Sequence, residues 1–183
     1  MFKRSVLSII VLIQLPAMAW SQDVEGIDYR WYWNINAGLV IPDDDIRLNE
    51  ANVIDLRVGK HLSEHWGMEM EVMRDEYDFD IDFDLKHYSA GLNLMYTNHE
   101  PLWKPYFLVG VGAIQADSRF PETTSTDLIV NLAVGGSWYF AGNGARIRAE
   151  ARSRLDTNNS DLPGQDGFGD GQFTIGILVP IGD

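Results

Sequence analysis

From Trp31 onward, apolar and polar residues change places at every second position in eight separate stretches, and that rhythm decides what the chain can fold into. In the first, Trp31, Trp33, Ile35, Ala37 and Leu39 alternate with Tyr32, Asn34, Asn36 and Gly38. Period two belongs to a β-strand, whose successive side chains stand on opposite faces; an amphipathic helix would space its apolar residues by three and four. The second stretch sets Ile54, Leu56 and Val58 against Asp55, Arg57 and Gly59, and the third sets Met68, Met70 and Val72 against Gly67, Glu69 and Glu71. In the fourth, Tyr88, Ala90, Leu92, Leu94 and Tyr96 oppose His87, Ser89, Gly91 and Asn93. The fifth pairs Phe107, Val109, Val111 and Ala113 with Leu108, Gly110 and Gly112. The sixth places Leu128, Val130, Leu132, Val134, Trp138 and Phe140 opposite Asn131, Ala133, Gly135 and Ser137. The seventh has Ala145, Ile147, Ala149 and Ala151 on one face and Arg146, Arg148, Glu150, Arg152 and Arg154 on the other. The eighth sets Phe173, Ile175, Ile177, Val179 and Ile181 against Gln172, Thr174 and Gly176.

Segments of about ten residues that are apolar on one face only suit tilted membrane strands. They predict an all-β chain: an eight-stranded antiparallel up-and-down transmembrane β-barrel. A soluble lipocalin-like carrier alternates in the same way with its apolar face turned inward, so alternation by itself fits either. Connection lengths favour the membrane form. The gaps 41–52, 75–85, 115–126 and 155–170 are long, those around 62–65 and 141–144 are short, and 97–104 is intermediate. Outer-membrane barrels carry long loops on one side and short turns on the other, with both termini on the short-turn, periplasmic side. The aromatic residues point the same way. Trp31, Trp33, Trp66, Tyr96, Trp103, Tyr106, Trp138 and Phe140 all fall near the short-turn ends, as an interfacial aromatic girdle requires. Tyr77, Phe79, Phe83 and Phe120 would form a weaker belt at the other end.

The residues ahead of the first strand read as an export signal. Lys3 and Arg4 precede an apolar run from Val6 to Leu15, with small residues at Ala17 and Ala19. Cleavage is expected before Trp20 or before Gln22, which divides the chain into a signal peptide over residues 1–21 and a barrel domain over 22–183. Loss of Lys3 and Arg4 takes the formal net charge from −13 to −15. So acidic a protein has no general attraction for nucleic acid or anionic surfaces. The chain has no cysteine, so an exported domain of this kind is held by its core or by complete strand pairing.

The chain resembles the OmpA-like family of small outer-membrane β-barrels. The segment Pro105-Tyr106-Phe107-Leu108-Val109-Gly110-Val111-Gly112 is similar to that family's Pro-Tyr, glycine-spaced fifth strand, and the resemblance runs over about residues 29–182. It implies a Gram-negative outer-membrane location, contact with outer-membrane lipid and lipopolysaccharide, and insertion by the barrel-assembly machinery. Family members that end at the barrel finish on an aromatic residue, whereas this chain finishes Val179-Pro180-Ile181-Gly182-Asp183. That departure implies an atypical assembly signal or a further domain after the barrel, such as the family's peptidoglycan-binding domain.

Three groups of residues carry possible chemistry. Arg146, Arg148, Arg152 and Arg154, facing inward with Glu150, need partners, because an unpaired buried charge is expensive. Asp55, Arg57, Glu69 and Glu71 share the inward parity and complete an expected lumen ionic network. His87 and Ser89 share that face too, and with Glu69 or Glu71 they form a possible nucleophile, base and orienting acid. Outward positions beside them are held by Tyr88 and Ala90, so access to lipid argues against catalysis. The acidic loops (Asp43-Asp44-Asp45, then Asp78, Asp80, Asp82 and Asp84, then 156–171) read as solvated surface with room for extracellular ligands, or less simply as calcium sites without EF-hand spacing. There is no P-loop, dinucleotide fingerprint or zinc-ligand cluster. The expectation is a non-enzymatic, cofactor-free barrel with an envelope-integrity or surface-interaction role, its lumen filled by Arg and Glu. A narrow gated porin-like channel is the alternative, ahead of a lipid A-modifying enzyme or a soluble carrier.

Overall fold

The computed structural model describes residues 28–42, 51–78, 84–98, 103–119, 122–142, 144–156 and 169–182. The expected signal peptide, Asp43-Asp44-Asp45, Phe79, Phe83, Phe120 and most of the fourth acidic loop lie outside them. Eight strands follow in chain order: β1 (Trp31–Pro42), β2 (Ala51–His61), β3 (Trp66–Asp78), β4 (Asp84–Thr97), β5 (Trp103–Arg119), β6 (Glu122–Tyr139), β7 (Arg146–Asp156) and β8 (Gly169–Ile181). Each pairs antiparallel with its chain neighbours, and β1 pairs with β8 from Trp31↔Ile181 to Pro42↔Asp170, which closes the ring. Closure satisfies the main chain without an edge, the condition for β-structure in hydrocarbon.

The period-two pattern lands as an inside-out barrel. Outward Ile54, Ile175 and Val134 are 63%, 62% and 58% exposed, while inward Asn34, Asp55 and Glu69 are fully buried. A continuous apolar exterior around a polar interior is the reverse of a soluble barrel and needs lipid as its solvent. The band has a visible upper limit. On β5 the outward series Phe107, Val109, Val111 and Ala113 gives way to Gln115 and Asp117, and on β6 Leu128 gives way to Thr126. On β3 and β4 the outward positions above Val72 and Tyr88 are Arg74, Glu76 and Lys86, with Glu76 2.8 Å from Arg74 and 3.2 Å from Lys86.

The short-turn end is tightly tied. Leu62 and Ser63 donate to the Trp66 carbonyl at 2.8 and 3.1 Å, and Gly144 donates to Ala141 at 3.2 Å. Gly144 takes a φ of +89°, a left-handed conformation that glycine adopts without strain. Both ends of the ring meet there: the Arg30 guanidinium donates to the Gly182 carbonyl at 2.9 Å and to both oxygens of Asp28.

The third long gap is not a loop. The expectation of a connection over 115–126 gives way to strand pairing that continues to Arg119↔Glu122. The outward side chains turn polar at Gln115, but once the strands leave the membrane their pairing no longer needs an apolar face. Thr123, Thr124 and Thr126 are β-branched and favour extension. With a rise of about 3.3 Å per residue and a tilt of about 45°, β5 climbs roughly 37 Å, against an apolar band of about 25 Å. The β5–β6 hairpin therefore stands roughly 12 Å clear of the band on the same geometry.

An arginine at Ile175 should cost about 2–4 kcal/mol, because it places a charge on the lipid face within the band. The same change at outward Thr126, above the band, should cost about 1 kcal/mol or less. Equilibrium urea unfolding in lipid vesicles measures both; equal costs would contradict the assigned band.

Candidate functional site: the charged lumen

The inward faces of β2, β3 and β7 meet in one ionic cluster at the middle of the barrel. Arg57 donates from Nη1 and Nη2 to the two Glu150 oxygens at 2.8 and 2.9 Å, and from Nε to Asp55 at 2.8 Å, with a second bond to Asp55 from Nη2. Glu69 and Glu71 lie 3.6 and 3.5 Å from the same guanidinium. Arg148 binds both Glu69 oxygens and reaches Glu150 at 2.9 Å. Arg152 holds Glu71 with two bonds of 2.8 Å and approaches Glu150 at 3.0 Å. Glu150 thus serves three arginines at once, and none of these side chains has appreciable contact with solvent.

Sign and number matter here. Three guanidinium groups face four carboxylates (Asp55, Glu69, Glu71 and Glu150), so the cluster carries one surplus negative charge. Neutral donors share it. Tyr32 donates to Glu69 at 2.8 Å, Tyr106 to Glu150 at 2.7 Å, Asn36 to Asp55 at 2.9 Å and Asn131 to Glu71 at 3.1 Å. Hydrogen bonds of this kind are what allow a buried ion to stay charged. Tyr106 also accepts from Arg148 Nε at 2.7 Å, and its ring lies under that guanidinium at 4.3 Å.

Two glycines make room for the two tyrosines. A Cβ on Gly59 would lie 2.7 Å from the Tyr32 ring and 2.8 Å from Glu69 Cγ, and one on Gly135 would strike the Tyr106 hydroxyl. Glycine in a strand interior is unfavourable by itself, so its presence opposite a large side chain marks a close approach.

A second cluster sits nearer the long loops. Arg154 bridges Asp75 and Asp170, with Nη2 2.5 Å from each. Gln172 donates to Asp170 at 3.3 Å, and His87 Nδ1 lies 3.7 Å from Asp75, its ring packed edge-on against Tyr77 at 5.1 Å. Asp75 and Asp170, expected at the rims of loops, are instead buried strand residues that hold Arg154. Ser89 is buried on the inward face of β4, two residues along from His87.

Arg146 does not join either cluster. It lies at the short-turn end over the Tyr139 ring at 4.6 Å, with Lys104 over the same ring at 5.3 Å. At that end the Asp28 carboxyl, outside the strands, feels burial that pushes its pKa up, but the hydrogen bonds and charge of Arg30 outweigh this and hold it below the usual range.

The aromatic girdle needs one correction. Trp31, Trp33, Trp66, Tyr96, Trp103 and Phe140 are exposed on the outer surface, and Trp138 stacks on Trp103 at 6.0 Å. Tyr106 is buried in the lumen instead, because Phe107 holds the outward parity of β5. Tyr77, expected in an upper belt, is likewise fully buried inside. The signal that separates Tyr106 from its neighbours was present in the alternation itself; Tyr32, Asn36 and Asn131 share that inward parity but carry no charge to draw attention.

The sequence profile described as outer membrane protein beta-barrel domain matches residues 6–179. No curated protein sequence matches the chain. Among solved structures, Neisserial surface protein A (NspA) superposes with a TM-score of 0.71 at 15% identity, covering 82% of this chain and 97% of that one. OprG from Pseudomonas aeruginosa gives 0.59 at 14%, covering 88% and 100%, and the attachment invasion locus protein Ail of Yersinia pestis gives 0.57 at 16%, covering 85% and 100%. At such identities the likeness is one of fold.

Replacing Glu150 with alanine leaves Arg57, Arg148 and Arg152 short of their shared acceptor and should cost about 3–5 kcal/mol of unfolding free energy. Thr126→Ala, exposed above the apolar band, should stay within about 0.5 kcal/mol. Urea unfolding of both variants in the same vesicles tests the difference.

Proposed function

The chain belongs to the outer membrane protein β-barrel domain family, and from that premise we propose that it is a plugged, non-conducting barrel with an envelope-integrity or surface-interaction role. The observation that carries the reading is the occupancy of the lumen. Eight strands enclose only enough width for side chains, and here the cross-section is taken by Arg57, Arg148, Arg152 and their carboxylates in mutual contact. A standing water column has no place in that cross-section. Such a barrel acts through its outer surface and its projecting strands. The hairpin of β5 and β6, and the paired ends of β3 and β4, form a polar platform above the apolar band.

The start of β1 and the end of β8 lie at the short-turn end, which by the loop-length rule is periplasmic, and the platform then faces the exterior. Outer-membrane lipid and lipopolysaccharide are the solvent of the outward face, and assembly proceeds through the cell's barrel-insertion machinery. The role is non-enzymatic on this reading. His87 and Ser89 are inward and buried, His87 is set against Asp75 and Tyr77, and the outward neighbours Tyr88 and Ala90 offer no nucleophile to a lipid substrate.

Planar-bilayer recording is the direct test. The wild-type barrel should show no steady conductance, whereas Arg148→Ala and Glu71→Ala, which remove bulk and pairing from the cluster, should open small conductances. Steady single-channel steps from the wild type would replace this reading with that of a narrow channel.

A further inference from the structure

The lumen is charged unevenly along its axis. The two upper clusters each hold one more carboxylate than guanidinium, while the short-turn end holds two buried cations that have no carboxylate within ion-pairing distance among the described residues. These are Lys104 on β5 and Arg146 on β7, 5% and 3% exposed, gathered over the Tyr139 ring. The Nε of Arg146 is out of solvent contact and has no hydrogen-bond partner. Asp28, the carboxylate on the adjoining segment, is held by Arg30 through bonds of 2.9 and 3.0 Å and attracts Lys104 and Arg146 only from beyond ion-pairing distance.

A half-enclosed cavity opens at this point. His61, Thr97, Lys104, Ser137, Arg146 and Arg148 contribute its polar wall. The opening has room for about one water molecule, enough to admit the charged end of a larger group. Two like charges held together away from water repel, and a buried N–H without an acceptor is costly. A single anionic group seated between them removes both penalties. The cation–π contacts with Tyr139 hold the two side chains in position without neutralising them.

We propose that the short-turn end of the lumen is an anion-binding site, in which Lys104 and Arg146 grip one carboxylate or phosphate group beside the Ser137 hydroxyl. The group enters from the short-turn end. Its source is a free small anion or the headgroup of an anionic lipid at that membrane face; the chemistry of capture is the same.

The test uses the full barrel, labelled with 15N at arginine and serine and placed in nanodiscs of zwitterionic lipid. Acetate and inorganic phosphate are titrated while the Arg146 Nε–H resonance is followed, with neutral acetamide as control. A saturable shift with the anions and none with acetamide is expected. For Lys104→Met, apparent affinity should fall roughly tenfold or more, as a lost charged hydrogen bond implies. Arg146 is its own probe, so Arg146→Met and Arg146→Lys are followed through the Ser137 amide. Methionine should abolish the response there, and lysine should restore part of it. Heat-modifiable mobility on gels confirms that each variant is folded. If anionic-lipid discs arrive already shifted and respond no further, the headgroup is the ligand; a response only to added anion identifies a soluble one. Absence of a saturable shift in both disc types, an equal response in folded Lys104→Met, or a matching response to acetamide overturns the proposal.

Discussion

Eight strands closed on themselves leave an interior only as wide as the side chains that fill it, and the remaining features of this molecule follow from that restriction. Every inward position must pack against another inward position. Large residues therefore stand beside small ones on the neighbouring strand: Tyr32 with Gly59, and Tyr106 with Gly135. Because the outward positions are given to lipid, the polar residues of the chain are driven to the inside. The core is consequently made of charge, with apolar packing confined to small groups such as Val40, Val53, Met73 and Tyr77.

A core of ions is stable only if each charge is answered. Glu150 is the centre of that arrangement, bound by Arg57, Arg148 and Arg152, with Tyr106 as a neutral fourth partner. Buried ion pairs add little over apolar packing of the same volume, but a broken one is strongly destabilising. The network accordingly specifies one arrangement of the interior more than it strengthens the barrel. Strength comes from the closed main-chain ladder, which is indifferent to the side chains it carries. This separation explains how β5 and β6 continue as paired strands beyond the apolar band with Gln115, Asp117 and the threonines in place of aliphatic residues.

Much of this was legible in the residues. The parity of Ile54, Leu56 and Val58 against Asp55 and Arg57 is enough to orient β2, and the same holds for β7, where four arginines and Glu150 share one face. Acids on β3 were recognisable as partners because β3 lies opposite β7 in a ring of eight. What parity does not carry is height. Asp75 and Asp170 look like loop residues because they border acidic stretches, yet they lie inside and hold Arg154. Arg146 looks like a member of the network, yet one turn of the alternation lower it meets Tyr139 and Lys104 instead. Residues 115–126 look like a loop for a related reason: a polarity change marks the membrane boundary, whereas a strand ends where its hydrogen bonding ends.

Membership of the outer membrane protein β-barrel domain family accounts for the fold and its solvent. The interior decides between a plug and a passage, and a plug requires that its arginines be dry and paired. Side-chain hydrogen exchange at the arginine Nε–H groups, measured in lipid nanodiscs, reads this most directly. Strong protection is expected at Arg57, Arg148 and Arg152, and rapid exchange at the exposed Arg74. Exchange at the three lumen arginines as fast as at Arg74 would mean that water fills the barrel, and would contradict a plug.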